Sequence, residues 1–145
     1  MDLRFGPGAV VVTNYGVPGT IASQAPRVSA DVVVANFGIN DGLHGESLAD
    51  FSTAMRSIGA TLIETQSPVS AYFGNKQADY VATARGLGLP VADTYSYVSK
   101  LPTWRAMEPD QIHPVDALYR QIVVDVLAPA VGSQVAPLRC LASMS

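Results

Sequence analysis

Apolar positions along the chain fall into two alternating kinds of run. Ala9-Val10-Val11-Val12-Thr13, Asp31 to Phe37, Thr61 to Thr65 and Pro90 to Asp93 are continuous and rich in β-branched residues, as strands covered on both faces should be. Between them, apolar residues recur at steps of three and four. Leu48, Phe51, Met55 and Ile58 make one stripe of an amphipathic helix, with Ser47 and Asp50 as a capping box and Gly59 as its stop. A second helix is expected from about Asn75 to Arg85, leaving through Gly86 and Gly88. A third carries Val115, Leu118, Tyr119, Ile122 and Val126 on one face, with Pro114 at its first turn and Pro129 after its end. Strands alternating with helices predict an α/β fold with a parallel sheet. That pattern ends near residue 131, so residues 1–131 are expected to form the domain and residues 132–145 an irregular C-terminal tail.

Composition narrows the classes. A chain of 145 residues suits one domain, and 48% hydrophobic with 14% charged residues excludes intrinsic disorder. The net charge of −3 provides no electrostatic footprint for nucleic acid. The longest apolar run, Ala30 to Phe37, is interrupted by Asp31 and Asn36, so no membrane span is expected. One cysteine, Cys140, excludes an internal disulfide framework, and its small-residue surroundings assign it no role. No signal peptide is visible at Met1, and the compartment stays open.

Ligands of open α/β sheets bind outside the carboxyl ends of the strands. Three loops are expected on that rim: Asn14 to Gly19 after the first run, Gly38 to Asp41 after the second, and Asp93 at the end of the fourth. Asp110 and His113 precede the last helix on a segment that can reach it. Their spacing lets the carboxylate accept the imidazole Nδ1–H, which fixes the tautomer and leaves Nε2 as a general base. Taken alone, the pair reads more simply as a loop cap and a half-buried histidine. Asn40 offers an amide donor that can stabilise an oxyanion, against the plainer Asx-turn of an Asn-Asp-Gly sequence. Gly16 and Gly19 flank Pro18 in a turn and offer backbone N–H groups that a ligand can approach closely.

Three blocks together, Asn14-Tyr15-Gly16-Val17-Pro18-Gly19, Gly38-Ile39-Asn40-Asp41 and Asp110-Gln111-Ile112-His113-Pro114, resemble three of the four signature blocks of the SGNH (GDSL-like) hydrolases, in order and over nearly all of residues 9 to 131. Gly38-Ile39-Asn40-Asp41-Gly42-Leu43 is especially similar to the bacterial lysophospholipase/thioesterase/arylesterase branch. The resemblance implies a three-layer α/β/α, flavodoxin-like parallel sheet. It implies a serine ester hydrolase that works through an acyl-enzyme without metal or organic cofactor, on acyl esters, thioesters, lysophospholipids or acetylated sugars. Within it His113 is the general base, Asp110 its orienting partner, and Asn40 and the backbone N–H of Gly19 supply two of the oxyanion donors, with Gly16 the alternative to Gly19. The place in the cell is left open, a bacterial secreted or periplasmic protein being one option. Oligomeric state is left open.

The fourth block, the Gly-Asp-Ser that carries the nucleophile, does not occur. In the family it follows a first strand and leads through a helix to the strand matched here by Ala9. Such a unit needs about thirty residues, and only eight precede Ala9. The domain is therefore expected to lack its first strand and helix, which leaves runs 9–13 and 31–37 without their shared neighbour. Ser23, Ser67 and Ser70 are the other serines considered, none on a strand-to-helix elbow; Ser47 is a cap. His44 is expected on an exposed loop beside the pocket, and Tyr95, Tyr97 and Trp104 either pack or line an acyl pocket. Two readings of function result: an SGNH-type ester hydrolase or a fragment of one, and a non-catalytic binding domain on the same fold. An unrelated flavodoxin-like domain ranks last, because no phosphate-cradling loop is present.

Overall fold

The computed structural model describes residues 10–69 and 76–142. Its frame is a parallel sheet in the order β1 (Val34–Ala35), β2 (Leu62–Glu64), β3 (Val91–Ala92). Val34 and Ala35 align with Leu62 and Ile63, and Ile63 and Glu64 with Val91 and Ala92. Parallel neighbours need long crossovers, usually helical. Here α1 (Ile39–Leu43) and α2 (Leu48–Ser57) lie between β1 and β2, and α3 (Lys76–Arg85) lies between β2 and β3. Beyond β3 come α4 (Thr94–Ser99), a 3-10 turn at Trp104–Met107, α5 (Asp116–Ile122), a π turn at Val123–Leu127, and α6 (Ala128–Ala142).

The mixed α/β class with a parallel sheet is as the pattern predicts. The core shows why. Ile63 belongs to a cluster with Val33, Ala35, Phe51, Met55, Ile58 and Tyr80, whereas its neighbour Leu62 packs with Ala92 and Val131. Successive strand residues point to opposite faces, so the sheet is covered on both sides, and a continuous apolar run is what such a strand requires. The edge-to-face contact of Phe51 and Tyr80, with centroids 5.1 Å apart, joins α2 to α3 on one face. A third cluster, Val98, Trp104, Leu118 and Ile122, ties α4 and the 3-10 turn to α5.

Two expectations fail. The run at residues 9–13 is no strand: Val10 to Thr13 pair with nothing among the described residues, Val11 and Val12 are 90% and 76% exposed, and Ala9 lies outside those residues. Strand propensity records a fit to a pleated, half-buried surface. Without a neighbour to take up the backbone groups and cover the side chains, a β-branched run has nothing to fit. The second failure is the irregular tail, since α6 runs through it to Ala142. Pro129 does not stop this helix because it follows directly on the π turn at Val123–Leu127, where the Ala128 N–H bonds the Val123 carbonyl and the regular ladder is already shifted, so the N–H that Pro129 lacks falls at a break in the register. Val131 is 6% exposed against Leu62 and Ala92, with Val135 beside it, so the sheet's second face organises the segment. The side chain of Cys140 lies outside the described residues.

The helix at 48–57 begins as expected: Ser47 Oγ accepts the Asp50 N–H at 3.1 Å. The expected helix start at Asn75 lies outside the described residues, and α3 is described from Lys76. No helix among the described residues is long and apolar enough to cross a membrane.

A candidate site at the carboxyl edge of the sheet

β1 leaves the sheet through Asn36 and Phe37 into Gly38, whose φ of +130° is open to glycine and closed to most side chains. That turn starts α1 at Ile39, so Asn40 stands in the first turn of a helix. Asp41 builds the corner. Fully buried, its carboxylate accepts the Gly38 N–H at 2.9 Å and, across the chain, the Ala22 N–H at 2.8 Å. Asn40 Nδ2 donates to the Thr20 carbonyl at 3.1 Å. Two neighbouring side chains thus clamp the Thr20–Ala22 segment onto the start of α1 and bring Gly19 to Asn40's side of the molecule. The Asx-turn that Asn-Asp-Gly suggests is not how Asn40 is used.

The same geometry separates the two glycines. Thr20 N–H bonds the Val17 carbonyl at 3.3 Å, with Pro18 and Gly19 in the middle and Gly19 at φ +79°. This is a type II turn, which demands a positive φ at its third residue. The Gly16 N–H is already taken by Asn14 Oδ1 at 2.8 Å, whereas the Gly19 N–H has no acceptor among the described residues. Of the two, Gly19 keeps a donor for a ligand.

Asp110 and His113 come together as their spacing suggests. His113 Nδ1 lies 2.6 Å from Asp110 Oδ2, while Asp110 Oδ1 accepts the His113 N–H at 2.7 Å and the Ile112 N–H at 3.0 Å. These bonds, led by the one from the His113 backbone, hold the Asp110 carboxyl down to about 2, so it is ionised at any neutral pH. The imidazole is held by its Nδ1 side, and Nε2 has no partner among the described residues. The pair is exposed, with 70% of the His113 and 54% of the Asp110 side chain open to water. Gln111 between them takes φ +67°, an uncommon place for a side chain that marks a tight turn.

No hydrogen bond joins the Gly19–Asn40 half directly to the Asp110–His113 half among the described residues. What links them is the loop leaving β2. Gln66 Oε1 accepts the Ile39 N–H at 2.5 Å, and the next residue, Ser67, donates through Oγ to Glu108 Oε1 at 3.2 Å. Gln66 therefore touches the Gly-Ile-Asn-Asp corner, and Ser67 touches the segment that leads into Asp110. Strands of a parallel sheet all end on one edge. The exits of β1 and β2, Asp93 at the end of β3, and the Glu108–His113 segment consequently share it.

Glu108, Ser67, Gln66 and Asp41 carry this arrangement, and the motif reading gave none of them a role in it. Asp41 lay inside a block whose interest had gone to Asn40. Glu108 carries no local signal, since a Glu before a Pro reads as loop surface, yet it is 1% exposed. Burial pushes its carboxyl up to about 7; the Ser67 bond opposes that shift, nearby Asp110 adds to it, and His113 opposes it. Its Oε2 has no partner among the described residues.

Of the remaining candidates, Ser67 is buried with its hydroxyl on Glu108, Ser23 is exposed in a short 3-10 turn, and Ser70 lies outside the described residues. His44 is exposed at the end of α1. Tyr95 and Trp104 line an open cavity of about 300 Å³ with Pro68, Val69, Gln77 and Arg105. Tyr97 does not line it, and its hydroxyl bonds Asp125 Oδ2 at 2.5 Å. No group of three or more His, Cys, Asp or Glu side chains suited to a metal ion occurs among the described residues. Compared with known proteins, the chain matches no family model, no curated protein and no solved structure.

Proposed function

We propose that this chain carries the acid–base and oxyanion-binding elements of an SGNH-type serine ester hydrolase, built on a three-layer, flavodoxin-like sheet. The observation that carries the reading is the Asp110–His113 pair, joined at 2.6 Å with Asp110 fixed by two further backbone donors. In this reading His113 Nε2 takes the proton of a serine hydroxyl as that oxygen attacks the acyl carbonyl. The imidazolium so formed is stabilised by ionised Asp110. Asn40 Nδ2 and the Gly19 N–H donate to the oxyanion of the tetrahedral intermediate. His113 then protonates the leaving alcohol or thiol, and a water attacks the acyl-serine by the same route. The substrate class is a small-molecule acyl ester, and the chemistry needs neither metal nor organic cofactor.

A second reading, a binding domain of the same fold that does not hydrolyse, is favoured by one observation: the sequence holds no Gly-Asp-Ser, and Ser67 is buried against Glu108. A fluorophosphonate probe separates the two, with His113→Ala as control and circular dichroism to establish folding. Labelling of a serine that disappears in His113→Ala supports the hydrolase, and peptide mapping then names the nucleophile. A folded chain that stays unlabelled removes the hydrolase reading for this polypeptide and leaves the binding domain.

A further inference from the structure

We propose that Glu108 is a positioning residue: its buried carboxyl, held by Ser67, fastens the Asp110–His113 turn to the exit of β2, and the order of that turn depends on whether Glu108 is charged. The inference deepens the acid–base role assigned to Asp110 and His113 and takes its functional meaning from that role.

Three features of the geometry support it. First, the turn is made of exposed residues on a buried root. Asp110, Gln111 and His113 face water, whereas Glu108 is 1% exposed and Pro114 is buried. Second, Glu108 holds the turn by both its parts. Its carbonyl accepts the Gln111 N–H at 2.8 Å, closing the tight turn, while its side chain reaches Ser67 in the loop after β2. The Val115 N–H on the Met107 carbonyl at 2.8 Å closes the loop behind it. Third, the carboxyl is incompletely satisfied. Among the described residues one oxygen has Ser67 and the other has no partner. A buried carboxylate with one donor is a poor arrangement for a charge and an adequate one for a neutral acid.

The groups around it set the direction. On its own segment Glu108 faces Asp110 and His113, and on α5 it faces Tyr119, which in turn feels Glu64 at the end of β2. Ser67, from the β2 exit, brings no charge. When Glu108 loses its proton, a second negative charge appears beside ionised Asp110 with one hydrogen bond to hold it. The two carboxylates repel, and the root of the turn must loosen or take in water. When Glu108 is neutral, Asp110 alone organises the Ile112 and His113 amides.

The test is nuclear magnetic resonance on the intact chain, following the Ile112 and His113 amides and the His113 ring nitrogens from pH 5 to 9. In the native protein the two amides should show an inflection near pH 7 that Glu108→Gln abolishes while keeping the turn. At one fixed pH, Glu108→Ala and Ser67→Ala should speed exchange of both amides about tenfold, in line with the loss of one buried hydrogen bond. They should also shift the ring nitrogens toward a free mixture of tautomers, with Gln at 108 restoring the native pattern. Equal exchange and an equal pH profile in Glu108→Gln would overturn the proposal. Should Glu108→Ala fail to fold, the native and Glu108→Gln titrations decide alone. A chain that never reacts with fluorophosphonate can still give the expected spectra, so the failure of the hydrolase reading and of this one are told apart.

Discussion

Two buried carboxylates hold the two halves of the candidate site, and they are built in opposite ways. Asp41 is fully buried, and its two oxygens each take a backbone N–H, from Gly38 at 2.9 Å and from Ala22 at 2.8 Å. Glu108 is as deeply buried, yet among the described residues it has one hydroxyl on one oxygen and no partner on the other. A buried charge is tolerable when fixed dipoles surround it and costly when they do not. Asp41, with both oxygens taken by backbone donors, clamps the Gly19 and Asn40 loops together. Glu108 is a clamp that works in one protonation state. The half of the site that presents hydrogen-bond donors is locked, and the half that would move a proton rests on a group that itself titrates.

The comparison breaks most visibly at Asp41. In Asp41→Ala both donors lose their acceptor, at roughly 1–3 kcal/mol for each. The urea midpoint should fall accordingly, and the Thr20–Ala22 amides should lose exchange protection before the rest of the sheet. Asp41→Asn, which keeps one acceptor and turns an NH2 toward the other donor, should be intermediate. A midpoint unchanged in Asp41→Ala would mean that the corner is held by the packing of Ala22 and Phe51 alone.

Glu108→Gln comes next, and its sign depends on pH. The folded protein holds this proton up to about 7, against an ordinary value of 4.5. Between those two values the native state binds more protons than the unfolded chain, so stability falls as pH rises through the window. The neutral amide is free of that loss. Glu108→Gln should match the native protein near pH 4 and exceed it by up to roughly 2–3 kcal/mol at pH 8. Asp110 runs the other way: held to about 2, it contributes stability above the usual carboxylate range and loses it as pH falls toward that value. The turn is thus best ordered in mildly acid solution. Denaturant melts at pH 4, 6 and 8 check this, and a stability difference that does not change with pH would mean that Glu108 takes up its proton alike in the folded and the unfolded chain.

A smaller effect is expected at Gly38→Ala. A Cβ there would sit 3.4 Å from the Tyr80 Cβ, which is tight but not prohibitive, so the φ of +130° decides the outcome. Strain of this kind costs of order 1–3 kcal/mol. Thermal melts measure the cost, and the change should be independent of pH, as befits the locked half.

How much of this was legible in the sequence follows the range of each interaction. The helix at 48–57, its Ser47 cap, and the Asp110–His113 contact are set within four residues along the chain, and spacing alone points to them. Three of the four β-branched runs became strands because Leu62 and Ile63 find cover on both faces. The same signal misled at Val10 to Thr13, where no strand among the described residues receives it. Pro129 and the residues after Gly132 misled in the opposite sense. Their helix depends on Val131 reaching the sheet, a contact invisible from local pattern. In the site, Asp41 with Ala22 and Glu108 with Ser67 join residues 19 and 41 positions apart. No motif of short spacing records such pairs.

The smallest expected effect tests whether the two turns differ as their anchors do. Gln111 adopts φ +67°, where a side chain is disfavoured by roughly 1–2 kcal/mol. Gln111→Gly relieves that strain but adds freedom to the unfolded chain worth roughly 0.5–1 kcal/mol. The two nearly cancel, so the melting temperature should rise slightly or stay level, in contrast to the loss at Gly38→Ala. The informative readout is the turn itself. Asp110 keeps its Ile112 and His113 donors in Gln111→Gly, so the ring-nitrogen signature of His113 should be unchanged below pH 6, where Glu108 is neutral. Above pH 7, with the root charged and no side chain at 111 to restrict the backbone, the turn should lose protection sooner than in the native chain. If Gln111→Gly proves equally ordered at both pH values, the alignment of His113 is set by Asp110 alone, and the contrast between a locked and a titrating half reduces to a difference in exposure.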